Sequence, residues 1–192
     1  MPNYYLGFDA GTQSVKVAVH DDRMHCIASS AHPTTLTYPH PGWVDMDVDE
    51  YLALTIQGMA DCSAQMREAG LDPADVRAIM GDGIICGIAG VDAQGNAITP
   101  YVNYLDSRTA EDEALINSWG LDIWGRETGN PAAKCMFPAL FARWFMEHVP
   151  GFRERGAKFV HNAPYVLAHL AGLPASDMFV DWGAMSGWGL GY

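Results

Sequence analysis

Residues 9–16 constrain the fold of this chain more than any other stretch. An apolar run, residues 4–8, precedes them and a second run, residues 15–20, follows, so a small-residue turn joins two short strands. The turn carries a carboxylate, a glycine and hydroxyl side chains: Asp9, Gly11, Thr12 and Ser14. Such a turn can direct backbone N–H groups and hydroxyls at a phosphate while the carboxylate holds a magnesium ion nearby.

Two well-known phosphate-binding loops are excluded by the same residues. The turn has no Gly-Lys-Ser/Thr sequence and no following helix, so it is not a Walker A loop. The third glycine of a dinucleotide-binding fingerprint is also missing. A plain β-hairpin, whose turn is capped by the Asp9 side chain, is the alternative interpretation, and these residues alone favour neither.

Composition and charge exclude several classes of protein. The 192-residue chain is 49% hydrophobic and 18% charged, which is typical of a globular domain with a sizeable core. Its net charge of −12 argues against nucleic acids and anionic membranes as partners. No signal-peptide pattern and no apolar run of the ~20 residues needed to span a membrane is found. The cysteines are too widely spaced for a metal site, and we expect buried free thiols in a reducing cytoplasm: Cys26, Cys62, Cys86 and Cys135.

Hydrophobic spacing predicts an α/β fold with a mixed sheet and flanking helices. The predicted strands are short runs, of which the first three form an antiparallel meander: residues 4–8, 15–20, 24–29, 76–81 and 87–92. A first helix is expected to start at Asp47 or Asp49, to run to about residue 69 and to end at Gly70. Its predicted buried face contains Leu52, Ile56, Met59, Cys62 and Met66.

Beyond Ser107 the pattern is mainly helical, with candidate helices at residues 109–119, 137–145 and 164–170. The second of these has the best helical spacing of apolar residues in the chain, and that spacing is typical of core packing. Its stripe contains Phe137, Leu140, Phe141, Trp144 and Phe145.

Five short elements follow one another in a fixed order along the chain. They are Asp9-Ala10-Gly11-Thr12, Gly42-Trp43-Val44-Asp45, Asp92-Ala93-Gln94-Gly95, Tyr104-Leu105-Asp106-Ser107-Arg108-Thr109 and Thr128-Gly129-Asn130-Pro131. This order resembles the N-terminal half of the FGGY carbohydrate kinases, the family of xylulokinase, gluconokinase, ribulokinase and glycerol kinase. The resemblance covers essentially the whole chain. It implies a ribonuclease-H-like domain of the actin/hexokinase superfamily, in which ATP and a sugar bind in the cleft between two such domains.

The resemblance implies roles for the first turn, with ATP and Mg²⁺ as cofactors. Asp9 matches the acidic residue that the family uses near magnesium and the transferring phosphate. Thr12 and Ser14 match the hydroxyls of its first phosphate loop, and the amides of residues 11–13, including Gly11 and Gln13, would hold the γ-phosphate. Lys16 could neutralise phosphate charge, or it is an ordinary solvated lysine.

Four residues are candidates for binding the sugar. Asp106 and Arg108 lie in an element where, by resemblance, a carboxylate accepts bonds from sugar hydroxyls and a guanidinium donates them. The alternative is an Asp–Arg pair that caps the following helix. Tyr104 could stack on a sugar face. Asp82 could recognise a hydroxyl, or simply cap its turn with Gly83.

The chain departs from individual members of the family. Residues 84–87, Ile-Ile-Cys-Gly, replace the Gln-Met-His-Gly of xylulokinases and also lack the Arg-Glu of glycerol kinases. The sugar is therefore not specified by these residues. Trp43 is expected to pack against the sheet rather than to touch substrate.

Residues 1–192 are expected, by resemblance, to form the sugar-binding N-terminal domain, incomplete at its C-terminal end. The family's general-base aspartate follows an Asp-x-Ser-x-Ala-Ser element, which residues 181–186 resemble, and is expected beyond Tyr192. The second, nucleotide-binding domain is expected outside this chain, so the chain alone is expected to be inactive.

The expected function is therefore phosphorylation of a sugar or polyol by a full-length parent, with ATP as the second substrate and a homodimer as one option for its assembly. A non-catalytic sugar-binding or regulatory fragment is the first alternative. An ATPase of the same superfamily that acts on a non-sugar substrate is the second.

Overall fold

The computed structural model describes residues 3–120, 123–130, 132–180 and 182–188. The strands are β1 (Tyr4–Ala10), β2 (Ser14–Asp21), β3 (Cys26–Pro33), β4 (Val76–Gly83), β5 (Ala89–Asp92) and β6 (Gly156–Val160). The helices are α1 (Val48–Glu68), α2 (Ala110–Ser118), α3 (Ile123–Thr128), α4 (Pro138–His148), α5 (Phe152–Arg155), α6 (Asn162–Leu170) and α7 (Trp182–Ser186). Pro131 and Asp181, which belong to two of the family-like elements, lie outside the described residues.

The chain divides into two compact units. The sheet unit contains Met1–Thr35 and Asp49–Ile84, and the helical unit contains Leu36–Val48 and Ile85–Tyr192. In the described part of the chain, no helix combines the length and the apolar character that crossing a bilayer requires.

The sheet unit is built on a four-stranded mixed sheet in the order β3-β2-β1-β4. Strands β1, β2 and β3 form the predicted antiparallel meander, and β4 lies parallel to β1. Alternate residues of β1 and β2 are buried: Tyr4, Leu6, Phe8, Ala10, Val15, Val17 and Val19. The predicted α/β class with a mixed sheet is thus confirmed.

Helix α1 begins one residue after Asp47, but its buried face differs from the predicted one. Cys62 and Met66 are buried as predicted, and the other buried residues are Val48, Tyr51, Thr55 and Gly58. Ile56, predicted to be buried, is 50% exposed. The face is shifted because Gly58 allows the helix to approach β2 closely: a Cβ atom at this position would lie 2.5 Å from Cγ2 of Val17. A prediction based on apolar side chains alone overlooks a contact made through a glycine.

The helical unit contains the core of large apolar side chains that the sequence predicts. Helix α4 carries the predicted stripe from Leu140 onward, and Phe141 and Phe145 of this stripe pack with Ile88, Val102 and Phe152. Helices α2 and α6 lie where helices are predicted, with ends that differ by a few residues.

Strand β6 is a feature that the sequence analysis misses. Residues 156–160 lie in a region predicted to be helical, yet they pair antiparallel with β5, with Ala89 opposite Val160. This short segment contains a glycine and a lysine, so its own pattern does not identify a strand. Its pairing partner is far away in sequence, and such contacts leave no local signal.

Candidate phosphate and sugar sites

A tight turn joins β1 to β2 in the sheet unit. The N–H of Gly11 donates to the carbonyl oxygen of Ser14 at 3.1 Å, so this amide is used within the turn. A side chain at residue 11 would place its Cβ 3.1 Å from that carbonyl oxygen and 3.5 Å from both carboxylate oxygens of Asp9. Glycine therefore permits the tight turn and leaves the Asp9 carboxylate open on this side.

Asp9 lies near the end of β1, directly opposite Lys16 on β2. Lys16 Nζ is 3.2 Å from Asp9 Oδ2, and the two side chains are 63% and 49% exposed. An exposed ion pair of this kind is worth at most about 1 kcal/mol. Lys16 can therefore leave Asp9 for another negative group at little cost, and it is also a solvated strand residue, as the alternative interpretation expects.

Asp82 lies beside Asp9, on the neighbouring parallel strand. The two residues are in register between β1 and β4, so both carboxylates lie near the carboxyl ends of parallel strands. This end of an open α/β sheet is where such folds bind ligands. The Oδ1 atom of Asp82 also accepts the N–H of Gly83 at 2.8 Å, as the turn-capping interpretation expects.

The donor set around Asp9 suits magnesium better than a metal that needs a protein cage. Within the described residues, no group of three or more histidine, cysteine or acidic side chains is arranged to hold a metal ion. Magnesium is usually bound through one or two carboxylates together with water and substrate phosphates. Asp9, with Asp82 beside it, offers that number of carboxylates.

Asp106, in the helical unit, is buried and bonded on all sides. Its carboxylate accepts the N–H of Val44 at 2.6 Å. It also accepts the N–H, Nε and Nη2 donors of Arg108, at 2.8, 2.9 and 2.7 Å. The bond to the Arg108 amide spans two residues, whereas α2 begins only at Ala110. Asp106 therefore stabilises the turn before the helix rather than capping the helix itself.

Arg108 is enclosed as completely as its partner, since its side chain is only 1% exposed. It forms a second ion pair with Asp45. Its guanidinium carbon lies 4.6 Å from the centre of the Trp43 ring and 5.0 Å from that of Trp144. Burial by itself lowers the pKa of Arg108, but hydrogen bonds and charges from Asp106 and Asp45 outweigh it, so the pKa is raised. Direct contact between these two side chains and a sugar stays a prediction.

Tyr104 lies on the turn that this network holds. The residue is 46% exposed. On one side of it, the buried Asn103 accepts the N–H of Leu105 at 2.9 Å and bonds to the sulfur of Met46. On the other side, the N–H of Asp106 donates to the Asn103 carbonyl. The exposed ring is thus carried by a turn whose neighbouring residues are anchored in the core.

The sequence analysis assigns no site role to Asp45 or Trp144, although both contact Arg108. Asp45 belongs to one of the five elements, which was the available signal. Trp144 belongs to the apolar stripe of α4, where nothing distinguishes it from a core residue. Trp43 packs edge to face against Trp144, with ring centres 5.0 Å apart.

Residues 84–87, which depart from the family-like pattern, are mostly apolar. Ile84 and Cys86 are buried, Ile85 is 50% exposed, and Cys86 adopts a left-handed backbone conformation with φ of 63°. Burial raises the pKa of the Cys86 thiol, which keeps it protonated at neutral pH. The exposed side chain of this segment, that of Ile85, is apolar.

The sequence matches the N-terminal domain of the FGGY family of carbohydrate kinases over residues 4–190. The glycerol kinase of Nitratidesulfovibrio vulgaris (strain DSM 19637 / Miyazaki F) is 28% identical over 166 residues, covering 82% of this chain and 31% of the relative. The xylulose kinase of Escherichia coli (strain K12) is 27% identical over 184 residues, covering 94% and 36%. The chain spans about a third of the length of the curated relatives it matches.

Solved structures share the fold. A gluconate kinase from Lactobacillus acidophilus superposes with a TM-score of 0.84 at 17% identity, over 98% of this chain and 36% of that one. A Plasmodium falciparum glycerol kinase with ADP gives 0.77 at 14% identity, over 95% and 40%. The chain thus has the fold of these kinases, as predicted.

Proposed function

This chain belongs to the FGGY family of carbohydrate kinases, and we propose that it is part of an ATP-dependent kinase that phosphorylates a sugar or polyol hydroxyl. The chain would supply the first phosphate loop and much of the sugar site of this kinase. The observation that carries this proposal is the register of Asp9 with Asp82 at the carboxyl ends of β1 and β4, beside the tight turn at Gly11. This arrangement places carboxylates and a small-residue turn at one edge of the sheet.

The loop would act by position and charge, since phosphoryl transfer needs little covalent chemistry from the protein. The hydroxyls of Thr12 and Ser14, with backbone amides that include that of Gln13, would hold the γ-phosphate. Asp9 would hold magnesium, which when bound neutralises charge on the phosphate oxygens. Lys16 would exchange its exposed ion pair with Asp9 for a phosphate oxygen.

Each unit offers a candidate contact for the sugar, Tyr104 in the helical unit and Asp82 in the sheet unit. The half-exposed Tyr104 ring offers a flat apolar face of the kind on which sugar rings stack. The second oxygen of Asp82 can accept a hydroxyl while the first accepts the amide of Gly83. Asp106 and Arg108 would have a supporting role, because they hold the turn that presents Tyr104.

The whole kinase is proposed to be a longer, cytoplasmic polypeptide in which residues 1–192 form the N-terminal domain. The general-base aspartate and the nucleotide-binding domain would be supplied from outside this chain. The isolated chain is then expected to bind weakly and to transfer no phosphate.

The proposal is tested by measuring ADP release from the complete kinase with glycerol, pentuloses, pentoses and gluconate as acceptors. We expect turnover of about 1–100 s⁻¹ with at least one acceptor. Asp9→Asn should lower kcat by about 100-fold or more, because it removes a charge that acts on the transferring phosphate. Asp22→Asn, an exposed change in the turn after β2, is the matched control and should leave kcat unchanged.

Turnover that survives Asp9→Asn would contradict the proposed role of the loop. Sugar binding without ADP release would favour a non-catalytic sugar-binding protein. ATP hydrolysis that no acceptor stimulates would favour an ATPase of the same superfamily.

A further inference from the structure

Three successive carbonyl groups of the first loop are bonded to residues outside the loop. The Gly11 carbonyl accepts the hydroxyl of Tyr51 at 3.2 Å. The Thr12 carbonyl accepts the hydroxyl of Thr34 at 2.7 Å, and the Gln13 carbonyl accepts the backbone N–H of Thr34 at 3.2 Å. Two residues thus orient three consecutive peptide groups.

Orienting a carbonyl also orients the amide that follows it. In a trans peptide the C=O of one residue and the N–H of the next lie in one plane and point in opposite directions. The carbonyls of residues 11–13 point at Tyr51 and Thr34, so the N–H groups of residues 12–14 point away from them. Successive amides that face one way form the kind of concavity that binds anions.

Both anchoring residues belong to the scaffold rather than to the loop. Tyr51 lies in the first turn of α1, and its side chain is fully buried. Thr34 directly follows β3, the outer strand of the meander, and is half-buried. A phenylalanine would fill the site of Tyr51 equally well, so the part of Tyr51 that acts on the loop is its hydroxyl.

We propose that Tyr51 and Thr34 are positioning residues for phosphoryl transfer. They hold the loop carbonyls inward, so that the amides of residues 12–14 face the γ-phosphate before ATP binds. Preset donors stabilise the charge of the transition state without having to reorganise during the reaction. This inference rests on the proposed kinase function.

The test compares single-atom changes in the complete kinase. Tyr51→Phe and Thr34→Val each remove one donor and keep most of the side-chain volume, and Thr34→Ser restores the hydroxyl. Tyr4→Phe and Thr35→Val are the matched controls: Tyr4 is a buried tyrosine at the far end of β1, and the Thr35 hydroxyl bonds to Glu50. Hydrogen exchange of residues 11–14 is measured together with kcat and both KM values.

We expect Tyr51→Phe and Thr34→Val to speed amide exchange in the loop about fivefold, since one hydrogen bond is lost. We also expect kcat to fall about tenfold, with KM for the sugar within twofold of the wild-type value, because misplaced donors weaken the transition state rather than sugar binding. Thr34→Ser should recover most of kcat, and the controls should match the wild type.

Unchanged loop exchange, or a kcat equal to that of the controls, would overturn the inference. A lower melting temperature without a change in kcat would also overturn it, because the two residues would then be purely structural. A wild-type protein that turns over no acceptor would instead overturn the proposed kinase function. Hydrogen exchange of the loop amides would then still test whether Tyr51 and Thr34 hold the loop carbonyls.

Discussion

Arg108 stays charged inside the helical unit because protein groups replace the water that would otherwise solvate its guanidinium. Asp106 and Asp45 supply the opposite charge, and the rings of Trp43 and Trp144 lie against the guanidinium. A planar fork with several donors fits this environment, whereas the compact ammonium of a lysine would reach fewer of the same acceptors. The buried pair fixes the turn that carries Tyr104.

Arg108→Lys is expected to lower the free energy of unfolding by about 1–3 kcal/mol, because the bidentate bonds to buried Asp106 are lost. Arg108→Ala should cost more, about 3–5 kcal/mol, since it leaves a buried carboxylate without its counter-charge. Urea denaturation measures both. Arg126→Lys, at an ion pair whose arginine side chain is 71% exposed, should change stability by less than about 0.5 kcal/mol. Equal costs at residues 108 and 126 would contradict this account.

At the scale of the element, the packing of α1 on β2 depends on a residue without a side chain. Gly58 lowers the helix propensity of α1, yet it lies at the closest approach to Val17. The gain in packing therefore comes from a residue that weakens the isolated helix.

Gly58→Ala is expected to destabilise the sheet unit by about 1–3 kcal/mol, because the new methyl group overpacks against a stiff valine side chain. Val17→Ala opens space at the same contact. The double variant should therefore be more stable than the sum of the two single changes predicts, as measured by urea denaturation. Strictly additive costs would show that the two residues do not compete for space.

The elements that the sequence predicts well are those with a strong local pattern. The meander and the stripe of α4 have such a pattern, because the alternation or helical spacing of their apolar residues can be seen within one short stretch of sequence. Strand β6 and the face of α1 depend instead on partners far away in sequence, Ala89 and Val17 among them. No local window contains that information.

At the scale of the whole molecule, some features of the candidate sites follow from neighbouring residues, whereas others depend on residues far away in sequence. Proximity of Asp9 to Ser14 follows from a tight turn and is predictable. The register of Asp9 with Asp82 needs the parallel pairing of β1 with β4, which the sequence does not reveal. The sequence does not predict the burial of Arg108 either, because this burial depends on Asp45 and Trp144.

The cysteines differ in burial, and we expect them to differ in their reactivity toward thiol reagents for that reason. Cys26 is exposed, contrary to the prediction that the cysteines are buried. Burial raises the pKa of Cys86 and Cys135, and burial together with nearby negative charge raises the pKa of Cys62 to about 11. The thiolate is the reactive form. Iodoacetamide at pH 8 is therefore expected to modify Cys26 first, and mass spectrometry of Cys26→Ser should show little early labelling. Early labelling of Cys62 in the folded protein would contradict this order.

The same shift predicts a dependence of stability on pH. In the unfolded chain the Cys62 thiol ionises near its ordinary pKa of 9.0, whereas in the folded chain it stays protonated up to about pH 11. Unfolding therefore releases a proton between these values, and the free energy of unfolding falls as pH rises through this range. Cys62→Ala should remove this part of the decline, as urea denaturation at pH 8 and pH 10 would reveal.

Because of strand β4, we expect binding measurements on this chain to depend on the protein concentration. It is one of the two outer strands of the four-stranded sheet in the described part of the chain, and it exposes Ile79 and Met80 at 42% and 77%. Outer strands with exposed apolar side chains pair readily with other strands. Copies that pair along β4 would cover the strand that carries Asp82, so self-association would compete with ligands for that end of the sheet. Affinities are therefore best compared in dilute solution.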